Sequence, residues 1–199
     1  MVKVLIATIY SPDPVLLSTT QIGPDKLILL LDETNKKKQE GSYNLIKGSV
    51  GRVVKVSKVN TETYDIVKVA EKCVKIIDEQ NTDDEIYINI TSGRKTKALG
   101  LLFASYARIK RIKNISYNPE EEKNSIVWLP KLSFKLTESQ KKVLEILSYD
   151  KNSELSFIKL AEKVGISRAM LYRNIDELKD SGFISEDNSL TDAGRIARL

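Results

Sequence analysis

The chain contains no histidine, one cysteine and one tryptophan in 199 residues. Histidine is the usual proton carrier near neutral pH and the commonest transition-metal ligand, so its absence excludes histidine-based acid–base catalysis and most zinc or copper sites. The single cysteine, Cys73, excludes a disulfide framework; it falls on the apolar side of a predicted helix, where packing is its natural role. No stretch reaches the roughly 18 consecutive apolar residues of a membrane span. The opening Met1-Val2-Lys3-Val4-Leu5-Ile6-Ala7 is too short for a signal peptide and reads as a first strand. The expectation is a cytoplasmic protein that holds no metal or cofactor and does not enter a membrane.

A large excess of one charge is also missing. The formal net charge is +5; residues 1–130 carry 20 Lys+Arg against 16 Asp+Glu, and the remainder 12 against 11. If the second part binds DNA, it does so through a focused cluster, doubled by dimerisation, and not through a broad basic field.

What is present is two patterns in series. Up to about Pro130 the order is strand, loop, helix. Val2 to Ile9 is a strand-length apolar run, ended by Tyr10-Ser11-Pro12-Asp13-Pro14. Val15 to Gln21 reads as a short helix, Leu27 to Leu31 as a buried strand, and Val53 to Val59 as a third strand. Asp32 to Gly51 holds a helix of unset bounds, with Lys36, Lys37 and Lys38 on a solvated face. From Thr63, taken as N-cap, to Gln80, apolar residues recur at helical spacing. Glu85 to Ile90 is a strand, Ala98 to Ala107 a helix, and a final hairpin turns around Asn118-Pro119-Glu120. Lys110, Arg111 and Lys113 read as a solvated helix end.

Between the strand ending at Ile90 and the next helix lies Thr91-Ser92-Gly93-Arg94-Lys95-Thr96. In an open parallel sheet, ligands gather at the carboxyl ends of strands, where free amides and the helix dipole favour anions. Gly93 permits close backbone approach, Thr91, Ser92 and Thr96 offer hydroxyls, and Arg94 and Lys95 are cationic donors. The stretch is therefore a candidate phosphate site. On composition alone it is equally a simple helix cap, and it lacks the glycine and Gly-Lys-Ser/Thr spacing of a P-loop.

From Thr137 the pattern is short amphipathic helices. Thr137 and Gln140 form a capping box, with Val143, Leu144, Ile146 and Leu147 as the buried stripe. A second helix starts at Ser156 and ends at Gly165; Ser167 then caps a third, Arg168 to Asp180. Leu171, Ile175 and Leu178 form its core side. Ser167, Arg168, Ala169, Tyr172 and Arg173 are left on the outward, N-terminal face, which in a helix-turn-helix enters the major groove of double-stranded DNA. Phe183-Ile184-Ser185 and Ser189-Leu190-Thr191 pair as a wing whose tip, Glu186-Asp187, would repel phosphates. The alternative is a winged helix used for protein contacts.

Together these segments resemble the CRISPR-associated CARF regulators. The resemblance is carried by Thr8-Ile9-Tyr10-Ser11-Pro12-Asp13, by Ile90-Thr91-Ser92-Gly93-Arg94-Lys95-Thr96, by the closing hairpin and by Gly165-Ile166-Ser167-Arg168. It implies an α/β, Rossmann-like, mostly parallel sheet over residues 1–130, a linker at 131–136 and a winged helix-turn-helix over 137–199. It further implies a homodimer that binds cyclic oligoadenylate, most often cyclic tetra-adenylate, across its two-fold axis and regulates antiviral CRISPR-associated genes. A ring of four identical nucleotides can present equivalent faces to two subunits. By the same resemblance Thr8, Tyr10, Ser11 and Asp13 would contact ligand from the first loop. Thr91, Ser92, Gly93, Arg94, Lys95 and Thr96 would hold phosphate or ribose from the second. Some relatives cleave the ring; here Ser11 and Lys95 would fill those roles, but no general base is evident, so binding without fast turnover is expected.

Overall fold

The apolar run near the start of the chain forms β1 (Lys3–Thr8), which lies between two parallel neighbours, β2 (Lys26–Asp32) and β4 (Glu85–Asn89). A strand covered on both faces is apolar throughout and not alternately; accordingly Val4, Leu5, Ile6 and Ala7 are all fully buried. β3 (Lys55–Thr61) adds parallel to β2, and β5 (Ile112–Tyr117) adds parallel to β4. β6 (Val127–Trp128) pairs antiparallel at the edge, giving the order β3-β2-β1-β4-β5-β6. This computed structural model describes residues 1–34, 37–119, 121–122, 125–132, 134–149 and 156–199. The sequence readings at Lys36 and Glu120 lie outside the described residues.

Four helices cover the sheet: α1 (Asp13–Ile22), α2 (Lys37–Val50), α3 (Ile66–Asp78) and α4 (Lys95–Ala107). α1 and α2 bury Val15, Tyr43 and Ile46 against Leu5, Ala7, Leu27 and Leu29 on one face. α3 and α4 pack on each other and on the strands of the other face, as right-handed crossovers require. Their closest approach is at Gly100, where an added Cβ would fall 2.5 Å from Val69 Cγ1. Cys73 is buried in this layer, which pushes its thiol up to about 12 and leaves it unreactive.

Several bounds differ from the sequence reading. The N-cap of α3 is Asp65, whose carboxylate accepts from Lys68 N at 3.0 Å; Thr63 instead offers its carbonyl to the Thr96 hydroxyl at 2.7 Å. α4 begins at Lys95, ahead of the expected Ala98. Pro12 is the N-cap of α1 and Pro14 lies in its first turn, where a missing amide is harmless. Arg111 is no mere solvated end: its guanidinium donates to the carbonyls of Gln80 and Asn81 at 3.0 and 2.7 Å, beyond the C-terminus of α3.

Under the carboxyl edge of the sheet lies a charged core that the sequence did not advertise. Lys97 and Asp32 are 0% and 1% exposed, with Lys97 Nζ 2.5 Å from Asp32 Oδ1 and 3.3 Å from the Leu30 carbonyl. Asp32 Oδ2 also accepts from Arg94 Nε at 3.0 Å and Gln39 Nε2 at 2.6 Å. Burial pushes the Asp32 carboxyl up, but Lys97, Arg94 and Gln39 together hold it below its ordinary value. Burial pushes the Lys97 ammonium down, and Asp32 recovers only part of that loss. The carboxylate gains from the pair while the ammonium loses to desolvation, so the pair as a whole adds little stability.

The chain divides into two compact units, Met1–Ser133 and Phe134–Leu199. In the second, α5 (Glu138–Tyr149), α6 (Phe157–Val164), α7 (Arg168–Asp180) and α8 (Asp192–Ala197) enclose Val143, Leu144, Leu160, Leu171, Ile175 and Leu178. The capping box forms as read, Thr137 N donating to Gln140 Oε1 at 2.9 Å and Gln140 N to Thr137 Oγ1 at 3.2 Å. Gly165 takes the left-handed conformation, φ +78°, that closes α6 and opens the turn. α8 is an element the sequence reading did not contain; Thr191 caps it through Gly194 N at 3.1 Å.

Two stability experiments follow from this packing. Gly100→Ala should destabilise the chain by about 1–3 kcal/mol in urea unfolding despite alanine's higher helix propensity, because the contact with Val69 must open. Asp32→Asn should cost roughly 3 kcal/mol or more, and Lys97→Met less. Lys97→Met leaves Asp32 with Arg94 and Gln39, whereas Asp32→Asn leaves a buried ammonium with the Leu30 carbonyl. The Asp32 contribution should be present above the ordinary aspartate value of 3.8 and be lost as pH falls through its depressed folded value, a loss absent from Asp32→Asn.

Candidate functional site

β1 and β4 lie side by side, but β1 leads towards β2 on one side and β4 towards β5 on the other. Their diverging ends open a crevice at the point where the strand order reverses. A cavity of about 410 Å³ lies there. Tyr10, Ser11 and Asp13 wall it from the first loop, Thr91, Ser92 and Gly93 from the second, and Asn118 and Pro119 from the end of β5. Pro14 and Leu17 of α1 supply its apolar side.

The two loops are tied by one hydroxyl. Ser92 Oγ accepts the backbone amides of Tyr10 at 2.9 Å and Ser11 at 3.0 Å, so this serine builds the wall. Gly93, at φ +101°, lets the second loop pass close to the first; a Cβ there would stand 3.3 Å from the Ile9 carbonyl oxygen. Behind the loops is a buried amide and hydroxyl network. Asn89 Nδ2 donates to Ser18 Oγ at 2.8 Å, Ser116 Oγ at 3.1 Å and Asn118 Oδ1 at 2.8 Å. Thr91 Oγ1 donates to Asn118 Oδ1 at 3.0 Å and accepts from Asn118 N at 2.8 Å. The cavity floor is thus fixed by side chains with satisfied hydrogen bonds.

Six of the ten residues expected to contact ligand line this cavity: Tyr10, Ser11, Asp13, Thr91, Ser92 and Gly93. The other four lie elsewhere. Thr8 is fully buried at the end of β1, and its hydroxyl has no partner among the described residues. Arg94 turns to Asp32 and lies over the Tyr64 ring, 5.3 Å from its centroid. Thr96 bonds the Thr63 carbonyl. Lys95 is exposed at the first residue of α4, a helix start without a side-chain cap. Ser11 and Lys95, the pair expected for ring cleavage, therefore divide between the cavity wall and the helix start.

Sequence reading missed Asn118 and Asn89, whose roles depend on partners up to 100 residues away. Lys38, read as solvated, is exposed as expected, and its ammonium lies over the Tyr10 ring, 4.2 Å from the centroid.

In the second unit Ser167, Arg168, Ala169, Tyr172 and Arg173 are all exposed at the N-terminal half of α7. Ser167 Oγ is engaged as the helix cap, accepting from Met170 N at 3.2 Å. Arg173 Nε pairs with Glu177 at 2.9 Å. The wing reduces to a single bridge between Ile184 and Leu190, and the exposed Asp187 carboxylate turns back on Ser189 Oγ at 2.9 Å.

Among known proteins, the family model described as HFX_2341_N-like, N-terminal matches residues 3–122. The winged helix-turn-helix DNA-binding family model matches residues 136–185. No curated protein matches the chain. Can2 from Sulfobacillus thermosulfidooxidans, solved in complex with cyclic tetra-adenylate, matches with 15% identity and a TM-score of 0.52, over 98% of this chain and 63% of that one. Csm6 from Enterococcus italicus, bound to cyclic hexa-2′-fluoro-hexa-dAMP, matches with 14% identity and a TM-score of 0.55, over 92% and 55%. Protein VC1899 from Vibrio cholerae matches with 11% identity and a TM-score of 0.54, over 98% and 63%. The chain thus spans less than two thirds of each of these proteins, and at such identities the likeness is one of fold. No helix among the described residues is long and apolar enough to cross a membrane. This chain belongs to the HFX_2341_N-like, N-terminal family, with a winged helix-turn-helix DNA-binding domain following on the same chain.

Proposed function

We propose that this protein is a dimeric, cyclic-oligoadenylate-responsive DNA-binding regulator of CRISPR-associated genes. The observation that carries the reading is the polar-walled cavity at the strand-order reversal, in a fold shared with two proteins solved with cyclic oligonucleotides. A DNA-binding winged helix follows on the same chain.

The chemistry of the walls divides the ligand. Asp13 is the one charged side chain among the described lining residues, and it is anionic. An anion in the wall repels phosphate and accepts from an amine or hydroxyl, so the cavity suits a nucleoside: adenine N6 or a ribose hydroxyl on Asp13 and Ser11. Phosphates belong at the uncapped start of α4, where free amides, the helix dipole and Lys95 favour an anion. One protomer then holds part of a ring and the two-fold partner the rest, with cyclic tetra-adenylate the best fit to that symmetry. Ligand would alter operator affinity through the dimer, and a coupling of about 1–3 kcal/mol is the usual range for such linkage.

Calorimetric titration with cyclic tetra-adenylate should give one ring per dimer, with affinity at least tenfold weaker in Lys95→Ala. Analysis of the recovered ligand should find the ring intact. No heat with this ring or the six-membered ring would defeat the sensor reading. For the reader, Arg168→Ala with Arg173→Ala should abolish DNA retention in a mobility shift at low salt, with the dimer and far-ultraviolet dichroism unchanged. Retained DNA binding would move the interface off α7.

A further inference from the structure

The exposed N-terminal half of α7 carries two arginines and a tyrosine hydroxyl but no exposed amide. Its outward stripe is Ala169, Tyr172 and Arg173, with Met170 on the flank. Met170 and Tyr172 are 47% and 52% exposed. The groups that usually read purines are Arg, Lys, Asn and Gln. Asn174, the one amide on α7, is buried and donates to Ser139 Oγ at 3.1 Å. Gln140 is likewise buried and donates to Glu177 at 2.7 Å. Arg173 is drawn one turn towards the helix C-terminus by the same Glu177. Of the two exposed arginines on this face, Arg173 is paired with Glu177 and Arg168 is not.

The apolar groups, by contrast, are held in place. The Tyr172 ring meets Phe157 of α6 edge-on, centroids 5.4 Å apart, so it presents a fixed surface instead of a mobile one. Lys159 and Lys163 are exposed on α6 together with Glu162, a net positive charge that fits a polyanion better than an apolar protein groove. The major-groove feature that apolar side chains recognise is the thymine 5-methyl group.

We propose that α7 reads its operator chiefly through thymine methyl groups, contacted by Ala169, Tyr172 and Met170, with Arg168 as the main polar base or phosphate contact. This rests on the DNA-binding reading given above and names the sequence class that reading leaves open: half-sites with thymines beneath the N-terminal half of α7.

The test uses the full chain, with and without cyclic tetra-adenylate, to select duplexes from a randomised pool. The enriched duplex is then resynthesised with deoxyuridine replacing each thymidine in turn, which removes the methyl and leaves base pairing intact. At two or more thymines per half-site, the loss should be about fourfold each, the ratio for exposing one buried methyl group. Tyr172→Ala should bind thymidine and deoxyuridine duplexes alike at one of these positions, a loss of discrimination that mere destabilisation would not produce. Enrichment of sites indifferent to deoxyuridine would overturn the methyl-reading proposal and leave the DNA reader standing. No enrichment under either condition would overturn both, and would assign the exposed face of α7 to a protein partner.

Discussion

One hydroxyl governs the shape of the candidate site. Where β1 and β4 part, two loops must turn away in opposite directions, and their amides have no strand left to pair with. Ser92 Oγ takes two of them, Tyr10 N and Ser11 N, and so locks the first loop against the second. The conformation of Gly93, the placement of Ser11 and Asp13 in the wall, and the start of α1 immediately beyond are consequences of that closure. A cavity at the edge of an open sheet is here a by-product of satisfying backbone donors.

The charged core beneath the same edge works differently. Lys97 already balances Asp32, so Arg94 is a cation in excess of what neutrality requires. Buried charges of this kind contribute little net stability, and their value lies in fixing where neighbours sit. Arg94 is held by Asp32 at one end and by the Tyr64 ring along its face, next to the uncapped start of α4.

The two units carry their polarity in opposite ways. The first unit places polar groups inside, in the Asn89, Ser18, Ser116 and Asn118 network that anchors the cavity floor. The winged helix places apolar groups outside, at Met170 and Tyr172 on α7. Each departs from the ordinary arrangement of apolar interior and polar surface at the place where a partner would dock, as departures from local consistency are expected to do.

Reading the sequence located nearly every strand and helix, because those signals are local. The apolar run of β1, the helical spacing of α3, the Thr137–Gln140 capping box, the left-handed Gly165 and the Ser167 cap each act within a few residues. The two loops of the site were legible for the same reason, since strand ends followed by small polar residues mark helix starts. The inward or outward direction of particular side chains was not legible. Lys97, on a stretch with two other cations, goes fully inside because Asp32 and the Leu30 carbonyl, 67 residues away, are there to receive it. Ser92 faces the first loop across 82 residues and Arg94 turns from the cavity to Asp32 across 62, so neither choice could be made by neighbours in sequence. The chain alone determined its elements and their order, through capping, turn geometry and periodicity. Tertiary structure decided which polar groups build the site and which remain free to meet a ligand, because that choice follows from the pairing of distant buried donors and acceptors.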